Sequence, residues 1–234
     1  MLRCNNMKTR NTGSVIESSV ARRPWDARLA RRLVAPLSNS GVSPNHLTTV
    51  RLVAGMAAAA AFIPGSYAWS NGGALLLVLS NFLDHADGEL ARISGRSSRF
   101  GHIFDLASDA LVTILIFIAI GVGCGSQRSI SPDIPPALIG AIAGAAIALI
   151  FYLRMRIEEM AGKAATHQAS IGGFETEDVL YLMPLATLCD GLSPLLIAAA
   201  ICAPLYLTWV IVEYRRVVSH AQPVAASSTS GAAK

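Results

Sequence analysis

The sequence predicts an all-α integral membrane protein: six transmembrane helices preceded by an N-terminal amphipathic helix lying beside the membrane. Three observations predict it. First, the 234 residues are 53% hydrophobic and only 15% charged, with a mean hydropathy of +0.48, a balance that suits membrane chains rather than soluble domains. Second, apolar runs of helix length recur along the chain, separated by turns rich in Gly, Pro or charge. Third, Lys and Arg crowd alternate loops, as the positive-inside rule requires. The net charge of +4 therefore reads as anchoring at anionic lipid, and no nucleic-acid partner is expected. Cys4, Cys124, Cys189 and Cys202 have no paired spacing and read as free thiols or core fillers.

Taken in order, residues 1–21 form a polar, disordered cytoplasmic tail without a signal peptide. The membrane domain covers residues 22–218, and 219–234 is a flexible cytoplasmic tail. Six spans and two tails use the whole length, which leaves no soluble domain. From Arg22 to Leu37 the chain is basic and amphipathic. Trp25, Leu29, Leu33 and Leu37 recur at helical spacing, with Arg28, Arg31 and Arg32 mostly off that stripe. Such a helix suits the membrane surface, or an ordinary solvated face. Ser43 is a candidate N-cap and Pro44 fits the first turn of a span that runs to about Pro64. The second span runs from about Gly73 into Asp84, and its helix continues past Arg92.

Residues 94–99 (SGRSSR) form the next turn. Phe100 to about Val122 is the third span, and Pro136 to Tyr152 is the fourth, whose Gly and Ala suit close packing. A weaker fifth span starts over Val179–Leu188 with Pro184 inside it, and the sixth runs from Pro194 to Val212. Arg and Lys gather at the N-terminus, the 92–99 turn, the 154–163 loop and Arg215/Arg216, whereas the opposite loops hold only Arg128. Both termini are therefore expected in the cytoplasm.

The stretch from Asp84 to Asp109 carries the chemistry. Asp84, Asp87, Asp105 and Asp109 sit at the ends of apolar helices, where each Asp costs roughly 2.5–3.5 kcal/mol at the helix centre on insertion scales. A hard divalent cation would offset that cost, because carboxylate oxygens are its preferred ligands. On a helix Asp84 and Asp87 lie roughly 60° apart, with Gly88 and Ala91 on the same stripe. Asp105 and Asp109 stand one turn apart on the next helix, with Gly101 one turn before them. Two helices thus face each other with carboxylates and small residues, leaving room for a ligand.

The pattern D-x-x-D-G-x-x-A-R, eight residues, then G-x-x-x-D-x-x-x-D resembles the signature of the CDP-alcohol phosphatidyltransferase family. Asp84, Asp87, Gly88, Ala91, Arg92, Gly101, Asp105 and Asp109 fill its fixed positions, and the resemblance covers roughly residues 24–125. It implies transfer of a phosphatidyl or related phospho-alcohol group from a CDP-activated donor, such as CDP-diacylglycerol, to an acceptor hydroxyl, with release of CMP in phospholipid biosynthesis. By resemblance Asp84, Asp87, Asp105 and Asp109 would hold Mg²⁺ or Mn²⁺, and Asp109 would also act as the base. Gly88, Ala91, Arg92, Ser98 and Gly101, with Asn45 and Thr48 of a P-N-x-x-T element, would form the donor site. A homodimer in a bacterial inner membrane, with a cytoplasmic active site, is expected. The resemblance leaves the acceptor open among glycerol phosphate, inositol or its phosphate, serine and amino-alcohols.

Several residues keep two readings. Ser98 and Thr48 either line the nucleotide pocket or cap helices. His85 and His102 lie beside the cluster, and His85 should point away from the shared stripe. Arg96 and Arg99 either donate to a phosphate or bind lipid headgroups. Arg154 and Arg156 either hold an acceptor phosphate or anchor the cytoplasmic side. Glu175, Glu177 and Asp178 either favour a helix N-terminus or attract a cationic acceptor. An intramembrane, Mg²⁺-dependent prenyltransferase would also use Asp-rich helices, but with its second Asp element much farther along the chain. A cation transporter would place its acids near the bilayer midplane in broken helices.

Overall fold

The computed structural model describes residues 25–96, 98–127, 134–161 and 181–228. Among these it is all-helical. The helices are α1 (Trp25–Val34), α2 (Pro44–Phe62), α3 (Tyr67–Ser94), α4 (Arg99–Gln127), α5 (Pro136–Ala161), α6 (Met183–Leu188) and α7 (Leu192–Ser228), with a 3₁₀ turn over Ala35–Asn39 after α1. The predicted tail 1–21, Arg22–Pro24, and the acids Glu175, Glu177 and Asp178 lie outside the described residues, as does Val179.

Local chemistry sets the boundaries. Ser43 precedes α2 in an extended conformation with Pro44 in its first turn, and the Ser43 backbone N–H donates to His46 Nδ1 at 3.3 Å. Gly95 ends α3 at φ 64°, a left-handed conformation that glycine adopts without a side-chain penalty. This sharp stop turns the chain back, so that α4 returns beside α3.

Among the described residues, three helices are long and apolar enough to cross a membrane: Arg99–Gly125, Pro136–Ala161 and Leu192–Ser219. The first two predicted spans form helices, but they fall short in composition. Arg51 interrupts α2, while the apolar run of α3 is short and closes on Asp84. The fifth predicted span is also different. Its described part is the six-residue α6, about 9 Å of helix at 1.5 Å per residue, too short to cross a bilayer by itself. Pro184 in its first turn removes a backbone donor, and the chain turns again at Asp190, whose φ is 52°.

The main core joins α2, α3, α4, α6 and α7 through Phe62, Leu77, Ile120, Met183 and Leu196. A second cluster packs α5 on α7 through Ile150, Ile157 and Val210. Gly140 lets α5 lie directly on α4, because a β-carbon there would collide with the Phe117 carbonyl. The third cluster bears on the site. Ala30 and Val34 of α1 pack on Ala86 and Leu90 of α3, so the small residues of α1 dock beside the Asp-rich segment. The leucine stripe points elsewhere: Leu29 and Leu33 are exposed.

Candidate active site

Helices α2 and α3 run antiparallel across the short 63–66 turn, and two side-chain rungs join them at the motif end. Thr48 Oγ1 donates to Asp87 Oδ2 at 2.7 Å. One turn farther along both helices, Arg51 Nη1 donates to Asp84 Oδ1. Helix α4 then closes on the second rung. Arg51 Nη1 also donates to Asp109 Oδ1 at 2.6 Å. Its Nη2 lies 2.9 Å from Asp105 Oδ1 and donates to the Asp105 carbonyl at 3.0 Å. The Arg51 side chain is only 3% exposed. Its planar fork of donors is what lets one side chain collect three carboxylates.

One carboxylate oxygen each from Asp84, Asp105 and Asp109 lies within 4.8 Å of the others, a spacing that can hold a metal ion. Exposure rises across the trio, from 26% for Asp84 to 36% for Asp105 and 49% for Asp109, so Asp109 is the acid most open to an incoming molecule. The fourth predicted ligand, Asp87, is not in this cluster. It is 4% exposed and is held by Thr48. Three residues of helix displace it by roughly 60° and 4.5 Å from Asp84, which is enough to bring it against Thr48.

Asp87 faces a cleft of about 190 Å³ between the start of α2, the end of α3 and the start of α4. That cleft gathers Asn45, Thr48, Gly88, Ala91, Ser98 and Gly101, together with Arg96, His102 and Asp105. Gly88 leaves open space where a side chain would stand, whereas a β-carbon at Gly101 would lie 2.8 Å from Asn45 Oδ1. Ser98 both lines the cleft and caps α4, its Oγ accepting the Gly101 N–H at 2.9 Å. Thr48 caps nothing. Arg92 is not among the cleft residues: its Nη1 donates to Glu89 Oε1 at 2.6 Å.

On the other side of the trio, a groove of about 550 Å³ runs between α3, α4 and α5. Asn81, Asp84 and Asp109 line it beside Leu149, Phe151 and Tyr152. Asp105 lines both cleft and groove, so the two meet at the carboxylate trio. Arg154 and Arg156 line neither. Arg154 Nη2 donates to Tyr206 OH at 2.5 Å and its guanidinium lies over the Trp209 ring, 5.1 Å from the centroid. Arg156 pairs with Glu159 at 2.6 Å.

The family model for CDP-alcohol phosphatidyltransferase matches residues 41–214, which takes in the cleft, the trio and all helices from α2 into α7. The chain belongs to the CDP-alcohol phosphatidyltransferase family. Among curated relatives it is 31% identical over 147 residues to a bifunctional IPC transferase and DIPP synthase of Rubrobacter xylanophilus, covering 63% of this chain and 30% of that protein. It is 30% identical over 101 residues to an archaetidylinositol phosphate synthase of Pyrococcus horikoshii, covering 43% and 52%. It is 33% identical over 96 residues to a phosphatidylinositol phosphate synthase of Streptomyces avermitilis, covering 41% and 38%. The matches thus span between 30% and 52% of these relatives' lengths.

Two residues of this family member were not singled out by the reading of the sequence. Arg51 is the larger omission. Its signal was available: a lone cation in an apolar helix, three residues after Thr48, is a functional position by default. Glu89 is the second. It is fully buried and accepts from Arg92 and, at 3.4 Å, from Arg31 of α1. An acid at one place and a base three residues later on the same helix is a readable pair, but the partner on α1 is not readable from spacing.

Proposed function

We propose that the protein transfers a phosphatidyl or related phospho-alcohol group from a CDP-activated lipid, CDP-diacylglycerol, to the hydroxyl of a small acceptor, releasing CMP, in phospholipid biosynthesis. The observation that carries this reading is the meeting of cleft and groove at Asp105. A recess lined by the motif's small residues and a separate, wider groove converge on one carboxylate trio. That is the layout needed to bring a donor and an acceptor to a shared phosphorus. Family membership favours it over a prenyltransferase or a transporter.

The donor set fits a hard divalent cation, Mg²⁺ or Mn²⁺: it is all oxygen and closely grouped. Asp84, Asp105 and Asp109 would hold the ion, with Asp87 the fourth carboxylate at the cleft. When bound, such an ion neutralises the pyrophosphate and stabilises the leaving CMP. The chain's own residues do the rest. Asn45, Ser98 and Arg96 offer polar groups to the nucleotide end, and the vacant space at Gly88 admits it. Asp109, the most open acid, accepts the proton of the acceptor hydroxyl as the new O–P bond forms and the pyrophosphate P–O bond breaks. Arg92, tied to Glu89, would reach the donor only from the rim.

The groove would receive the acceptor, with Asn81, whose Nδ2 is buried without a hydrogen-bond partner, available to bind it. Two relatives are named for synthesis of inositol phosphate lipids, which puts inositol phosphate first among acceptors. We further propose six spans, both termini and the site cytoplasmic in a bacterial inner membrane, and a homodimer. The exposed Leu29 and Leu33 of α1 would rest on that membrane.

The test is CMP release from CDP-diacylglycerol by purified protein with Mg²⁺ or Mn²⁺ and an acceptor panel led by inositol phosphate. Acceptor-dependent release is expected, and Asp109→Asn should reduce it by about 10²–10⁴-fold. Release by Asp109→Asn at the wild-type rate would overturn the assignment of the base.

A further inference from the structure

We infer that Arg51 is the resident counter-cation of the carboxylate trio, and that a divalent metal and the Arg51 guanidinium take the same oxygens in turn. The inference rests on the proposed metal site. Arg51 engages an oxygen of each of the three carboxylates grouped for a cation. Nη1 bridges Asp84 Oδ1 and Asp109 Oδ1, and Nη2 lies against Asp105 Oδ1. With all three engaged, the side chain is almost fully buried, so the guanidinium is held against the carboxylates out of solvent.

Three carboxylates within 4.8 Å repel one another, so positive charge among them stabilises the assembled cluster. Arg51 supplies one unit of it from within the chain. A divalent ion supplies two units and bonds more directly to hard oxygens, but it must displace the guanidinium to do so. The fraction of molecules with Arg51 out of the way then scales the apparent metal affinity. Arg51 is in this sense a positioning residue: it keeps Asp84 on α3 facing Asp105 and Asp109 on α4 before the metal arrives.

The experiment is Mn²⁺ binding to the full-length protein in detergent, read from the electron paramagnetic resonance signal of free Mn²⁺, for wild type, Arg51→Met and Arg51→Lys. Arg51→Met should bind Mn²⁺ about tenfold tighter or more, because the competitor is gone. Arg51→Lys keeps a charge for folding, but a single ammonium lacks the fork that engages three carboxylates, so its affinity should rise by a smaller factor. Equal or weaker binding by the folded variants than by wild type would overturn the competition while leaving the metal site intact. If Arg51→Met does not fold, Arg51→Lys alone decides between these outcomes. Absence of Mn²⁺ binding in wild type and variants alike would overturn the metal site itself, and this inference with it.

Discussion

The two rungs between α2 and α3 are built from the same parts and behave differently. Thr48 and Arg51 stand one turn apart on α2, Asp87 and Asp84 one turn apart on α3. The Thr48 rung is a closed pair: one hydroxyl, one carboxylate, both nearly fully buried. The Arg51 rung is open, since its guanidinium continues past Asp84 to two acids on α4. The neutral donor fixes one carboxylate at the wall of the cleft. The cationic donor gathers three carboxylates from two helices into one cluster. The spacing of the acids sets which donor each one meets, and the two donors divide four similar aspartates into a trio and a single.

The largest effect should come from breaking the open rung. Without added metal, Arg51→Met should lower stability in detergent by about 3 kcal/mol or more, since several hydrogen bonds to charged groups are lost at about 1.5–3 kcal/mol each, read as a fall in melting temperature. Saturating Mn²⁺ should restore most of it. Breaking the closed rung should do less. Thr48→Val removes the hydroxyl at nearly constant shape, and an Asp87 left without that donor should cost about 1–3 kcal/mol, with or without Mn²⁺; Thr48→Ser should recover it. A metal-dependent loss in Thr48→Val would erase the distinction between the rungs.

A smaller effect sharpens the contrast on the cleft side. Gly88 faces open space, so Gly88→Ala should keep or raise the melting temperature, alanine being favoured in helices by up to about 1 kcal/mol. It should nonetheless raise the KM for the CDP-linked donor several-fold, since the added methyl intrudes on the cleft. At the far end of the scale, Arg156→Ala should change stability by no more than about 0.5 kcal/mol, because its partner is Glu159 one turn along the same exposed face.

Much of this was legible in one dimension. Helical periodicity, Pro44 after Ser43, and the glycine-bearing turn near residue 95 mark where helices begin and stop, because those signals act within a few residues. The D-x-x-D-G-x-x-A-R element and its partner lie on adjacent helices joined by a short turn, so their meeting follows from local geometry. α6 was less legible: an apolar run broken by Pro184 reads as a weak span, and only the structure shows that Met183 packs with Leu77 and Leu196 in the core. The face of α1 was also out of reach. Its leucine stripe reads as a membrane-surface face, but that Ala30 and Val34 fit against α3 is not in the spacing.

The sequence by itself determined the membrane-protein class, most helix boundaries, the family, and the set of acids and small residues from which a site can be made. Each depends on composition or on spacing along a single helix pair. Only the tertiary structure decided which acids stand together, that Arg51 lies among them, that Asp87 belongs to the cleft, and that Arg154 serves α7 rather than the groove. Those outcomes depend on the register in which α2, α3, α4 and α7 pack. Register is set by close contacts between distant segments, such as Gly55 under Val112, which no local pattern records.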